Sequence, residues 1–466
     1  MNVFIKKLPT DFRFWVLVFF TIRLIGITNP PLEIGHNWRQ VTGLMVARNF
    51  YEVDPDIRFP RIDDNQDRTG IIGMEFPVLN YLHYTFSLVF GYADWYGRLI
   101  NLLVSSLGLW YFYSLLLKVF QNQKLALYSA LFLAASSWFA FSRKTMPDTF
   151  CISLAIIALY SAFVYLNSKK PIALISYVIL ASLAVLAKIP AAMYLVFIMP
   201  FVLTKNFSLK GRLSLALAST VPMALAFYWY FVWNPFLEST YGNWYNIGKS
   251  FSVGFNELVS NPLKTLDNFY FDAFSGFFVF GMFLVGMVLL VRNREARILK
   301  LFALFLAVFI IYMVKSGFYF YHHGYYILPF VHIISLVAGY SPTRTTMKWL
   351  YLTILIIGIG EGIANQQHDF FIKPSEMYKT ELEALADKVS TREERIMING
   401  NNNPQLMYFA HRKGWNCYDH ELIDTNYLYQ AKRKGCKIVI VNKHGCDSRP
   451  PLKLIIENED FAAYRY

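Results

Sequence analysis

The feature that most constrains this chain is a series of apolar runs, each about long enough to cross the roughly 30 Å hydrocarbon core of a bilayer. They lie near 12–27, 97–117, 125–142, 149–167, 171–187, 190–204, 213–233, 272–291, 298–315, 325–340 and 349–364. Most are joined by short loops, which leaves little chain for a separate soluble core until residue 365. Of the 466 residues, 55% are apolar and only 16% charged, against roughly 45–50% and about 25% in soluble proteins. A soluble enzyme, a disordered chain and a disulfide scaffold are therefore poor fits. The expectation is a polytopic α-helical membrane protein of about eleven spans.

The net charge of +13 does not point to nucleic acid. Residues 365–466 are nearly balanced, with 15 Lys and Arg against 14 Asp and Glu, while residues 1–364 hold 29 against 17. The excess sits in short connections: Lys118 and Lys124; Lys169 and Lys170; Lys205, Lys210 and Arg212; Arg292, Arg294, Arg297 and Lys300; Arg344 and Lys348. Alternate loops rich in Lys and Arg mark the cytoplasmic side. Lys6 and Lys7 before the first run read as an uncleaved signal anchor with a cytoplasmic N-terminus. An odd number of crossings then puts the tail outside, in the plasma (bacterial inner) membrane.

Two domains are expected: a membrane domain over 1–364, with a first outer loop at 29–96, and an extracytoplasmic α/β accessory domain over 365–466. In the latter, 376–390 reads as an amphipathic helix, and 395–399 and 437–442 as strands. Cys417, Cys436 and Cys446 fall in this region, and two of them can pair if it lies in an oxidising compartment; Cys151 lies in an apolar run. The runs 171–187 and 190–204 read as a helical hairpin with Lys188 at its outer tip. Asn234 to about Tyr270 forms a second sizeable outer loop, with Tyr241, Trp244 and Tyr245 suited to the membrane interface.

The first outer loop is far longer than a helix connection needs, which marks it as functional. His36-Asn37-Trp38-Arg39-Gln40 opens a helical pattern continuing through Phe50, and Glu75-Phe76-Pro77 opens another. Between them Asp63, Asp64 and Asp67, with Arg61 and Arg68, read as a solvated turn. Further ionisable groups stand at span mouths: Arg98, then Arg143 and Asp148 within Ser142-Arg-Lys-Thr-Met-Pro-Asp148, then Lys188. Phe318-Tyr-Phe-Tyr-His-His-Gly-Tyr-Tyr326 forms an aromatic outer loop carrying His322, His323 and Tyr325. Ionisable groups at the membrane edge are expensive unless paired or bound to something. A carboxylate there can deprotonate a sugar hydroxyl, and nearby cations can hold a lipid phosphate as it leaves. Glu75 and Asp148 are the candidate catalytic carboxylates. His36, Arg39, Arg98, Arg143, Lys188, His322, His323 and Tyr325 are the candidate contacts to lipid phosphate or sugar.

Over about residues 12–205 the sequence resembles GT-C glycosyltransferases of the protein mannosyltransferase and aminoarabinose transferase type, glycosyltransferase family 39-like. The resemblance rests on Val46-Ala47-Arg48, Glu75-Phe76-Pro77-Val78, Gly97-Arg98-Leu99, and Ser142-Arg143 followed by Asp148. It implies interfacial helices in the first outer loop and a polyprenyl-phosphate-linked sugar donor. It also implies a glycan, lipid or protein acceptor and transfer at the extracytoplasmic face, usually with inversion. Two departures stand out. Neither alignment of the loop gives the family's acidic pair, and Glu75 replaces its lysine while Arg39 falls where an acid is expected. Divalent-metal dependence stays open. The competing readings are a transporter or flippase of a lipid-linked saccharide, and an inactive glycolipid-binding relative; the absence of half-to-half repeats argues against transport.

Overall fold

The computed structural model describes residues 11–242, 248–344 and 348–466. Lys6, Lys7, Trp244 and Tyr245 lie outside the described residues, as do the side chains of Arg344 and Lys348. The chain forms two compact units. One comprises the N-terminal segment to Ile27, Arg98–Phe231 and 246–370; the other comprises Thr28–Gly97, 232–245 and Phe371–Tyr466.

The first unit is helical. Among the described residues, five helices are long and apolar enough to cross a membrane: Tyr96–Phe120, Pro147–Ser168, Leu209–Tyr241, Ala296–Ser316 and Gly324–Thr343. Shorter apolar helices cover Gln123–Ala135, Pro171–Ala187, Ile189–Leu203 and Phe278–Arg292. Phe12–Arg23, N-capped by Asp11, occupies the first apolar run. Burial divides the long helices. Pro147–Ser168 is mostly covered by protein, and it packs along Pro171–Ala187. Leu209–Tyr241 and Ala296–Ser316 instead expose apolar side chains such as Leu213, Leu217, Phe227 and Ile311. A water-facing helix would not carry so much apolar surface, so these faces suit lipid.

Several runs are interrupted where polar groups enter. The run at 125–142 stops at Ala135 and resumes as the short helix Trp138–Phe141. The run at 272–291 begins as a helix only at Phe278, with Asn268–Asp272 forming a π-helical turn before it. At the tip of the 171–204 pair, Lys188 is extended, and the chain continues as a 3₁₀ segment over Ile189–Phe197. Arg23, at the end of the first helix, is fully buried and donates to Ser142 Oγ at 2.5 Å, Phe19 O at 2.9 Å and Ser106 Oγ at 3.3 Å.

The second unit joins first-loop helices to a mixed sheet. Strands β1 (Arg395–Ile398), β2 (Gly414–Asn416), β3 (Cys436–Asn442), β4 (Lys453–Glu457) and β5 (Phe461–Arg465) are ordered β2-β1-β3-β5-β4. The β1–β2 and β1–β3 pairs are parallel, and β3–β5 and β4–β5 antiparallel. The expected helix at 376–390 is a 3₁₀ segment, Pro374–Glu381, followed by an α-helix, Leu382–Val389. One face of the sheet buries Ile396, Ile398, Ile438 and Ile440 against Val41, Leu44 and Met45 of the first-loop helix Asn37–Glu52, so loop and tail share one core.

The loop also docks on the sheet edge. Asn65 and Gln66 backbone N–H groups donate to Gly414 O, and Gly414 N–H donates to Asp63 O. Gly414 has φ +149°, and a Cβ there would fall 1.9 Å from Ile396 O, so this close strand approach requires glycine. On the opposite face Cys417, Cys436 and Cys446 join Trp415 and Leu428 in a second apolar cluster. All four cysteines are free thiols. Burial holds the Cys436 thiol protonated, with its pKa pushed up to about 12.

Candidate active site

The candidate residues fall into two groups, one in each unit. In the first unit, Asp148 stands in the first turn of Pro147–Ser168, where the helix dipole favours a carboxylate. Its Oδ1 accepts from Lys188 Nζ at 2.6 Å. Both side chains are largely buried, with 7% and 14% exposure. The second oxygen, Asp148 Oδ2, is buried and has no hydrogen-bond partner among the described residues. Lys188 Nζ also lies 4.9 Å from the centre of the Tyr325 ring, within cation–π range. His323 stacks on Tyr325 at 5.2 Å and meets His322 edge-on at 4.9 Å. The structure thus brings Asp148, Lys188, Tyr325, His323 and His322 together. Burial, reinforced by His322 and Lys188, lowers the His323 pKa to about 4, so this ring is neutral near pH 7 and can accept a proton or hydrogen bond.

Asp272 belongs with this group and was not singled out in the sequence. A Cβ on Gly324 would lie 3.3 Å from Asp272 Oδ2, so the carboxylate abuts the residue between His323 and Tyr325. The sequence hid Asp272 at the start of an apolar run. A lone acid preceding a phenylalanine-rich helix was the available signal.

The other cations of the first unit are held separately. Arg98 is buried and donates to Ile27 O at 3.4 Å. Arg143 is buried with its guanidinium 4.0 Å from the centre of the Phe370 ring. Between Arg143 and Asp148, Lys144 pairs with Asp369 at 2.6 Å, a link across 225 residues that nothing in the local sequence suggests.

In the second unit, Arg39 and Glu75 form an ion pair at 2.5 Å, with 27% and 10% of their side chains exposed. Arg39 lies in the first turn of Asn37–Glu52, and Glu75 precedes the helix Val78–Phe90. The inverted charges noted in the sequence therefore form a direct pair. His36 is the residue before the first of these helices and adopts a left-handed backbone, φ +56°.

The Asp63–Asp67 stretch corrects the sequence reading. It is not simply a solvated turn: Asp63 is buried, accepting from Arg48 at 2.7 Å and Asn49 at 2.8 Å. Arg48 also lies 4.3 Å from the Tyr408 ring centre and donates to Tyr408 O. Burial raises the neighbouring Asp64 to a pKa of about 6. Asp67 alone is exposed. That Arg48 and Asn49 meet at Asp63 is set by tertiary packing, and no local spacing signals it.

Among the described residues, no group of three or more His, Cys, Asp or Glu side chains is placed to hold a metal ion.

The described fold is thus a helical unit with apolar outer helices and a second unit built from the first long loop and the tail. A family model described as dolichyl-phosphate-mannose-protein mannosyltransferase matches residues 75–235, a stretch that opens on Glu75 and includes Asp148 and Lys188. No curated protein matches the chain in sequence.

Among solved structures the chain is similar to ArnT from Cupriavidus metallidurans bound to undecaprenyl phosphate. The TM-score is 0.63 at 12% identity, over 97% of both chains. The apo form of that protein gives 0.60 over the same shares. The oligosaccharyltransferase of Archaeoglobus fulgidus, in complex with zinc and sulfate, gives 0.56 at 12% identity, over 92% of this chain and 68% of that one. At such identities the likeness is one of fold, and the fold resembles that of GT-C glycosyltransferases.

Proposed function

We propose that this protein is an integral-membrane glycosyltransferase that moves a sugar from a polyprenyl-phosphate donor to a glycan, lipid or protein acceptor. Transfer takes place at the extracytoplasmic face, with the N-terminus cytoplasmic and the residues after 365 outside. The observation that carries this reading is the buried, unpartnered Oδ2 of Asp148 beside Lys188. A carboxylate with one oxygen anchored and the other open is arranged to accept a proton.

In the proposed step, Asp148 takes the proton of the acceptor hydroxyl as that oxygen attacks the anomeric carbon. The bond from the anomeric carbon to the phosphate oxygen breaks, and its electron pair leaves with the polyprenyl phosphate. One displacement inverts the anomeric centre. Lys188 neutralises the departing phosphate, as cations aimed at developing charge do. His322, His323 and Tyr325 line the same group and contact phosphate or sugar. Arg98 and Arg143 supply further positive charge to the lipid phosphate.

Glu75, with Arg39, is the second carboxylate–cation pair, and His36 stands beside it in sequence. The alternative proposal takes Glu75 as the base in place of Asp148. The likeness to ArnT bound to undecaprenyl phosphate supports a polyprenyl-phosphate donor.

The test is transfer of label from a radiolabelled polyprenyl-phosphate sugar by the purified protein. Loss of transfer in Asp148→Asn with folding retained supports the assignment. Transfer that survives Asp148→Asn and fails in Glu75→Gln moves the base to Glu75. Passage of the lipid between leaflets without transfer contradicts the enzyme reading.

A further inference from the structure

The second unit contains a cavity of about 350 Å³ that the transfer reading does not use. Its wall consists entirely of ionisable side chains. Arg48, Glu52 and Asp63 come from the first outer loop, and Arg392, His411, Arg412 and Lys413 from the tail. The volume lies in the range of small-molecule sites, roughly 300–1,000 Å³. No apolar side chain lines it, so an uncharged apolar ligand is a poor occupant.

The acids of this wall are already engaged. Asp63 is held by Arg48 and Asn49. Both oxygens of Glu52 lie 3.0 Å from His411 Nε2. Behind the wall, Glu383 accepts from His411 Nδ1 and from Arg392, and Asp387 accepts from Arg392 and Arg412. Arg412 is 2% exposed and further fixed by the Ser390 hydroxyl and carbonyl.

Lys413 differs from all of these. Its Nζ makes no hydrogen bond or ion pair among the described residues, although Asp63 and Glu52 act on it at longer range and Arg61 and Arg48 oppose them. The ammonium is partly desolvated, which depresses its pKa. A half-buried ammonium facing a polar cavity, with every neighbouring acid taken, lacks only an anion.

We propose that this cavity binds the phosphate of a sugar-phosphate-sized solute, with Lys413 as the primary charge and Arg392 as a flanking donor. Arginine forks match the oxygens of a phosphate, and the lysine adds a point charge. The helix Asn37–Glu52 carries Arg39 near its start and Arg48 at the cavity, nine residues on. That spacing is about 13 Å along the helix axis. Occupancy would thus hold the loop helix against the tail, whichever carboxylate accepts the proton in transfer.

The test uses the full-length protein in detergent, with isothermal titration and thermal melting against inorganic phosphate, glucose 6-phosphate and glucose. Sodium chloride at matched ionic strength is the control. Binding of glucose 6-phosphate that weakens at least tenfold in Lys413→Gln and is retained within a few-fold in Lys413→Arg supports the proposal. If inorganic phosphate binds as tightly as glucose 6-phosphate with the same dependence on Lys413, the site stands with free phosphate as its source. The proposal is overturned if neither phosphate exceeds the chloride control, or if Lys413→Gln, folded by its melting curve, binds as well as the unmodified protein. None of these readouts requires glycosyl transfer, so failure here leaves the transfer reading standing and the reverse also holds.

Discussion

Lys188 Nζ lies 2.6 Å from one oxygen of Asp148, and the other oxygen of that carboxylate is buried without a hydrogen-bond partner among the described residues. The two residues are 40 positions apart. They meet because Pro147–Ser168 and Pro171–Ala187 pack closely, which returns the chain to the level of the first helix's N-terminus. A pair this buried costs desolvation, and one open oxygen in it has a use in proton transfer.

Removing Lys188 tests the electrostatic half of that relationship. Lys188→Gln leaves the Asp148 carboxylate buried beside a neutral group, which costs about 3–5 kcal/mol where a buried pair is broken from one side. The melting temperature should fall in Lys188→Gln and recover much of the loss in the double variant Lys188→Gln/Asp148→Asn. Additive losses in the double variant, read by thermal melting, would show that the two residues are not coupled.

The Arg39–Glu75 pair is more accessible on the arginine side, so its stabilising contribution is modest. Exchanging the charges, Arg39→Glu with Glu75→Arg, should keep the protein folded and restore at least part of the stability lost in each single variant. Transfer activity should stay at least tenfold below normal in the exchanged form if the carboxylate must occupy position 75. Full activity in the exchanged protein would remove Glu75 from the site.

Asp63 supports the second unit from within. Asp63→Asn uncouples the buried Arg48 guanidinium, with an expected loss of about 3–5 kcal/mol. Limited proteolysis should then cut the tail sooner, because the loop helix and the sheet share one core. An unchanged melting curve and cleavage pattern would contradict that role.

Asp64 gives a pH dependence of defined sign. Burial raises its pKa from 3.8 in the unfolded chain to about 6 in the folded one. Between those values the folded state holds the proton and the unfolded state releases it. Its contribution is therefore fully present below about pH 4, is lost as pH rises, and is gone above about 6. Asp64→Asn removes the titration and should raise stability at pH 7.5 by up to about 3 kcal/mol. Equal melting temperatures for the two forms at pH 7.5 would show that the site is more solvated than its burial implies.

The parts of this architecture that follow local rules are legible in the amino-acid pattern itself. Long apolar stretches, the pattern from Asn37 to Phe50, and the strands near 395 and 437 each carry their own periodicity. Span ends are less so. Asp272 and the break after Ala135 show polar groups and π or 3₁₀ turns inside runs that hydropathy reads as continuous. The inverted charges at positions 39 and 75 look like a departure from the family, and the structure makes them partners. Lys144 with Asp369, and Arg48 with Asp63 and Tyr408, depend on contacts set by tertiary packing, which no spacing rule encodes. Lys413 is invisible for the same reason: its isolation exists only once its neighbours' partners are known.

The central claim is that a buried carboxylate beside Lys188 takes the acceptor's proton during transfer from a lipid phosphate. The direct measurement is single-turnover release of polyprenyl phosphate from a labelled polyprenyl-phosphate sugar, comparing the unmodified protein with Asp148→Asn in the same detergent. The account predicts a fall of at least about a hundredfold in the transfer rate, with donor binding within a few-fold of normal. A transfer rate in Asp148→Asn equal to that of the unmodified protein would contradict it.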